Sequence, residues 1–241
     1  MQEYKKICVG IPHTGMFHWQ TLTSLLSLKP PQNAQIVYHL IGSCLVYDAR
    51  EKIVEFARNK GCEYVVMLDS DMVPPSDMID KMFNHLENDN NIDMITGMAF
   101  KRTPPFQPCF YTKLQYNMKD FKPYLESPIE WNDNGGLMEI AGAGLACSMI
   151  RMSLFDKIST PYFFPLPNLG EDLTFCLKAK KEAKAVFLVD TSIDVGHCSV
   201  IPIHHEHFKA CYEEQKTNGN TKTMFTDAEQ EIDKAEVGGQ S

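Results

Sequence analysis

Glu63-Tyr64-Val65-Val66-Met67-Leu68-Asp69-Ser70-Asp71 is the stretch on which the fold turns. The run from Tyr64 to Leu68 is apolar without alternation, which suits a parallel strand covered on both faces better than a half-exposed one. It stops at two aspartates with a single serine between them. In open parallel sheets ligands bind beyond the carboxyl ends of the strands. A buried strand ending in Asp-x-Asp therefore predicts both a fold class and the place of a site.

Strand-like and helix-like segments alternate on either side, as expected of an α/β domain. Upstream, Ile7 to Ile11 and Gln35 to Leu40 read as strands, with helices over Trp19 to Leu28 and from Asp48 to Lys60. Gly61 stands where glycine ends a helix. Downstream, Pro74-Pro75-Ser76 introduces a helix whose Met78, Ile79, Met82, Phe83 and Leu86 share a face, and Met94 to Met98 reads as a strand. Lys101 to Gly136 has weak periodicity and is expected to form long loops and short strands around a cleft. Order returns with strands at Leu145 to Ile150 and Ala185 to Val189 and a helix over Asp172 to Lys181.

The 241 residues fit one α/β domain with a Rossmann-like, mostly parallel central sheet flanked by helices. We place that domain at 1–211, with a nucleotide-binding half at about 1–105 and an acceptor-binding half at about 135–211. The polar, acidic segment 212–241 is read as a tail, either a loosely docked helix or disordered.

Charge narrows the partners. Lys plus Arg number 23 against 31 Asp plus Glu, a net charge of −8, which argues against a broad basic face for nucleic acid. Small anionic ligands remain open through a metal ion or a few local cations. The four arginines, Arg50, Arg58, Arg102 and Arg151, are the residues suited to bidentate phosphate or carboxylate contacts. Eight scattered cysteines with no Cys-x-x-Cys pair read as small core residues and point to a cytoplasmic protein. No apolar stretch approaches the ~20 residues of a membrane span.

Three motifs carry candidate chemistry. Asp69-Ser70-Asp71 can converge on a hard divalent cation, Mn2+ or Mg2+, or can simply be turn chemistry. Glu171-Asp172 stands at a helix start, where acids favour the dipole but a carboxylate can also take a proton from an attacking hydroxyl. His197 follows Val195-Gly196, and its imidazole could complete a metal site that the glycine lets it swing toward. His204, His205 and His207 match no standard zinc spacing and are read as a His-rich surface loop.

In this order the motifs resemble the A-type-fold glycosyltransferases, particularly the large inverting family 2. The likeness runs over roughly residues 5 to 200 and takes in Ile11-Pro12-His13, Asp48-Ala49-Arg50, Asp69-Ser70-Asp71, Thr96 to Arg102, Gly142-Ala143-Gly144, Gly170-Glu171-Asp172 and His197. It implies a metal-dependent enzyme moving one sugar from a nucleotide-diphosphate sugar, with uridine as the expected base. The acceptor hydroxyl could belong to a glycan, a protein, a small molecule or a modified nucleic-acid base. Asp69, Ser70 and Asp71 would hold the donor, with Asp69, Asp71 and His197 on the metal. Pro12 and His13 would line the nucleoside pocket, with Arg50 near the nucleotide. Asp172 would be the catalytic base of an inverting reaction, and Glu171 would touch the acceptor. No Gln-x-x-Arg-Trp motif of processive synthases is present, so a single transfer is expected. Two other readings stand beside it: a haloacid-dehalogenase-like phosphatase using Asp69 and Asp71, and a non-catalytic module that binds sugar nucleotides.

Overall fold

The computed structural model describes residues 4–132, 135–199 and 202–217. Its first half runs β1 (Lys5–Pro12), α1 (Trp19–Ser27), β2 (Ala34–Ile41), α2 (Val46–Asn59), β3 (Tyr64–Leu68), β4 (Met72–Val73), α3 (Met78–Asn88) and β5 (Met94–Met98). Short strands β6 (Phe110–Tyr111), β7 (Lys113–Asn117), β8 (Lys122–Glu126), β9 (Leu137–Ile140) and β10 (Gly142–Ala143) follow. The chain closes with β11 (Cys147–Arg151), a 3-10 turn, α4 (Glu171–Ala183), β12 (Phe187–Asp194), β13 (Gly196–Cys198), β14 (Pro202–Ile203) and α5 (His205–Thr217).

Seven strands form the central sheet in the order β2-β1-β3-β11-β5-β12-β9. Five of them (β2, β1, β3, β5 and β12) point one way, and β11 and β9 run against them. The sheet is thus mostly parallel in a single α/β domain. Strand direction is where sequence patterning falls silent: β11 fits between β3 and β5 as an antiparallel insert, although its apolar run reads like that of its neighbours.

Alternation along β1 and β3 divides the core. Ile7, Val9, Ile11, Tyr64, Val66 and Leu68 face the Met78, Ile79, Met82, Phe83 and Leu86 stripe of α3. Cys8, Val65 and Met67 face Ile53, Val54 and Ala57 of α2. Both faces are covered, so all five residues of β3 are buried and the continuous apolar run is explained. Gly10 matters here because a Cβ would stand 2.2 Å from Ile53 Cγ2, so α2 could not lie so close to β1.

Helix α2 ends as expected, with Gly61 at φ +64°. Lys101 to Gly136 contains a two-stranded hairpin of β7 and β8. The boundary placed at residue 211 falls within α5, which continues to Thr217, and the remainder of the expected tail, 218–241, lies outside the described residues. Among the described residues no helix is long and apolar enough to cross a membrane.

Candidate functional site

Strands β1, β2 and β3 deliver their carboxyl ends to one cleft of about 480 Å³. Pro12, His13, Ile41, Asp69, Ser70 and Asp71 line it, with Arg102 at one side. The cleft holds five of the six residues expected to bind the donor. His13 is fixed in its loop, since its Nδ1 accepts the Gly15 N–H at 3.0 Å. Gly42 makes room for it, because a Cβ there would stand 2.6 Å from the imidazole.

Arg50 is the exception and a correction. It is 2% exposed and lies behind the cleft rather than in it. Its Nη2 donates to Asp69 Oδ1 at 3.0 Å, its Nε to Glu171 Oε1 at 3.2 Å, and its Nη1 to the Leu145 carbonyl at 3.2 Å. Three of its five N–H donors are engaged by protein, and burial keeps the guanidinium out of the cleft. Arg50 instead ties the end of β3 to the start of α4, so the Asp69 turn and the Glu171-Asp172 pair, about 100 residues apart in sequence, meet across one side chain. Burial opposes its charge, but Asp69, Glu171 and Asp172 outweigh burial and hold it firmly protonated.

The carboxylates respond to that crowding. Burial, with Asp71 and Glu171 adding repulsion, holds Asp69 above the ordinary carboxylate value despite Arg50. Burial and the neighbouring Glu171 push Asp172 up to about 6, against the pull of Arg50 and the Leu173 N–H. Its Oδ1 accepts that N–H at 2.7 Å. Two glycines leave space for this side chain: a Cβ at Gly170 would stand 2.7 Å from Oδ1, and one at Gly144 would stand 3.4 Å from Oδ2.

Asp71 meets different partners. Its Oδ2 accepts from Arg102 Nη1 at 3.1 Å and faces His197 Nε2 at 3.4 Å. Burial would raise it, but the His197 contact and the Arg102 charge hold it below the ordinary value. His197 arrives by backbone pairing, because β13 lies antiparallel to β4 with His197 opposite Met72. The Cys198 N–H also donates to the Asp71 carbonyl at 2.7 Å. Gly196 acts by close approach rather than by swinging the backbone: a Cβ there would stand 2.7 Å from His204 Nε2.

His197 Nδ1 lies 2.7 Å from the Phe100 carbonyl, which can only accept. Nδ1 therefore carries a proton, so Nε2 either donates to Asp71 from an imidazolium or, once unprotonated, turns its lone pair to a cation held beside Asp71. Two acceptors at 3.4 Å are a stable arrangement only with a proton or a cation between them. Four carboxylates (Asp69, Asp71, Glu171, Asp172) gather around two guanidiniums (Arg50, Arg102), an excess of acid that a divalent ion could offset. The donor set fits a hard cation. The three expected ligands are not closed into one cluster, however, since Asp69, Asp71 and His197 do not bring three ligand atoms within 4.8 Å of one another. Asp71 and His197 form the pair, and Asp69 is turned to Arg50.

Of the four arginines only Arg102 reaches the cleft. Arg58 pairs with Asp156 and Tyr162, and Arg151 with Tyr64 and backbone carbonyls. The cysteines are all free, and burial pushes Cys109, near Asp172, up to about 12.

No protein-family model matches the chain, and no curated protein does. Solved structures do match, among them that of A197 from STIV, with 20% identity and a TM-score of 0.59 over 81% of this chain and 86% of that one. At that identity the likeness establishes the shared fold and nothing about chemistry.

Proposed function

We propose that the protein is a divalent-metal-dependent glycosyltransferase that moves a single sugar from a nucleotide-diphosphate sugar to an acceptor hydroxyl, with inversion. The observation that carries this reading is the Arg50 bridge, which sets a carboxylate pair at a helix start against an Asp-x-Asp turn at the carboxyl end of a buried strand. Pro12 and His13 bound the space for the nucleoside. Arg102 and the Asp71–His197 pair stand where the diphosphate and its counter-ion would lie. A cation bound there would stabilise charge on the leaving diphosphate. Asp172 takes the proton of the acceptor hydroxyl, the freed oxygen attacks the anomeric carbon, and the electrons of the broken bond leave with the nucleotide diphosphate. Glu171, engaged by Arg50, keeps Asp172 in place and raises its basicity.

The phosphatase reading is less well supported. Its nucleophilic aspartate would be Asp69, whose Oδ1 is engaged by Arg50. A non-catalytic module would have little use for an Asp172 held near 6.

Thermal unfolding with UDP-sugars, with and without manganese, tests the proposal. A donor at 100 times its dissociation constant stabilises by about 2.7 kcal/mol. A shift that needs both sugar nucleotide and metal is expected, followed by product formation with an acceptor panel. Equal shifts with and without metal would count against it.

A further inference from the structure

Beyond the cleft, β12 and α5 bring together a second group of donors. Asp194 closes β12, after an irregularity in its pairing with β5, and His205 and Glu206 open α5. Asp194 Oδ2 lies 3.0 Å from His205 Nδ1, and Glu206 Oε2 lies 3.7 Å from the same nitrogen. One ligand atom from each residue falls within 4.8 Å of the others. Ligands on a four-coordinate ion with bonds of about 2.0–2.2 Å stand roughly 3.3 Å apart, so these spacings straddle the requirement.

Two further observations separate this group from an ordinary surface ion pair. Although the Asp194 side chain is 30% exposed, its Oδ1 is buried and has no hydrogen-bond partner among the described residues, which is costly for a carboxylate oxygen unless a cation takes it up. Asp194 also has an outer partner, His204, whose Nδ1 lies 3.2 Å from Oδ2. His204 is itself fixed, its backbone N–H donating to His207 Nδ1 at 3.0 Å, and Gly196 leaves the space its ring occupies. Outer-shell contacts of this kind orient metal-binding carboxylates.

We propose that Asp194, His205 and Glu206 form a second metal site, for a zinc-class divalent ion, with the fourth position open to water. One imidazole and two carboxylates, with no thiolate, suit such an ion. Three protein ligands are too few for the six to eight oxygens calcium takes. The site joins the end of β12 to the first turn of α5, three residues before His197. It stands independently of the transfer reaction.

The test is zinc alone, added to chelator-treated full-length protein and read by bound-metal stoichiometry. The double variant Asp71→Ala/His197→Ala removes the cleft pair as a competing site. In that background one zinc per chain is expected, and none once Asp194→Asn or His205→Ala is added. Cobalt should give the visible absorption of a tetrahedral ion, displaced by zinc. Zinc should also slow amide exchange at the start of α5. Should Asp194→Asn not fold, Glu206→Gln, which keeps size and hydrogen bonding, must still weaken zinc at least tenfold. No zinc in the cleft-disabled background, or unchanged zinc after Asp194→Asn, overturns the proposal.

Discussion

Asp69 and Asp71 stand two residues apart on one turn, and each is paired with an arginine. The inner arginine, Arg50, is 2% exposed and donates to protein from all three of its nitrogens. The outer one, Arg102, has a side chain 52% exposed and, among the described residues, one hydrogen bond, to Asp71. Burial decides what each pair can be. Arg50 is sealed from water although Asp69 opens on the cleft, and a guanidinium so buried would be a stranded charge without its carboxylates, so that pair is a fixture. An exposed pair contributes a few tenths of a kcal/mol and can be exchanged for a ligand. The turn is therefore half framework and half open to exchange with a ligand.

The largest effect expected from this contrast is at Arg50. Arg50→Met leaves the largely buried Glu171 without its cation, while Asp69 keeps its access to the cleft, and should destabilise the fold by about 3 kcal/mol, seen as a lowered urea midpoint. Arg102→Met should shift that midpoint by no more than about 0.5 kcal/mol. Equal losses at both positions would erase the distinction. Next is Asp172→Asn, which removes the proposed proton acceptor but keeps the shape. Transfer should fall by about 100-fold or more with donor affinity unchanged, in single-turnover assays.

The same residue makes a smaller prediction about pH. The folded value of Asp172, about 6, lies above its ordinary 3.8, so the folded state holds the proton more tightly. Asp172 thus destabilises the protein above about pH 6, and the penalty fades as pH falls toward 4. Asp172→Asn should gain on the order of 1–2 kcal/mol at pH 7 and little at pH 4, while wild-type transfer rises through pH 6. A gain equal at both pH values would show that ionisation is not its source. The smallest effect is at the outer pair. Arg102→Ala should weaken nucleotide-diphosphate binding by up to about tenfold, in titration calorimetry, and lower the salt dependence of that binding.

Much of this was legible in the sequence, and the misses have physical reasons. The apolar run before Asp69 gave the buried strand, and the stripe from Met78 to Leu86 gave the covered face of α3. The likeness to family 2 puts Arg50 near the nucleotide, where that family often carries a basic residue. Yet it sits at the spacing of Ala49, Ile53, Val54 and Ala57, the buried face of α2. A charge on an apolar stripe announces a buried partner, and here the partners are carboxylates far away in sequence. His204 and His205 looked like a surface loop because Asp194, which gathers them, belongs to another element. The antiparallel run of β11 has no signature in composition, since direction is set by which neighbours are available.

That insertion of β11 has a consequence for synthesis on the ribosome. β1, β2 and β3, with α2, can assemble once residue 68 has emerged, but the far edge of β3 is completed only by residues 147–151. Some 80 residues separate the two, which at about 5–20 residues per second leaves a bare, wholly apolar strand edge for roughly 4–16 seconds. An unpaired edge of this kind is a template for pairing with another chain. The nascent protein therefore passes through a window of aggregation risk that the finished fold conceals, and holdase chaperones that cover the edge of β3 would raise its yield.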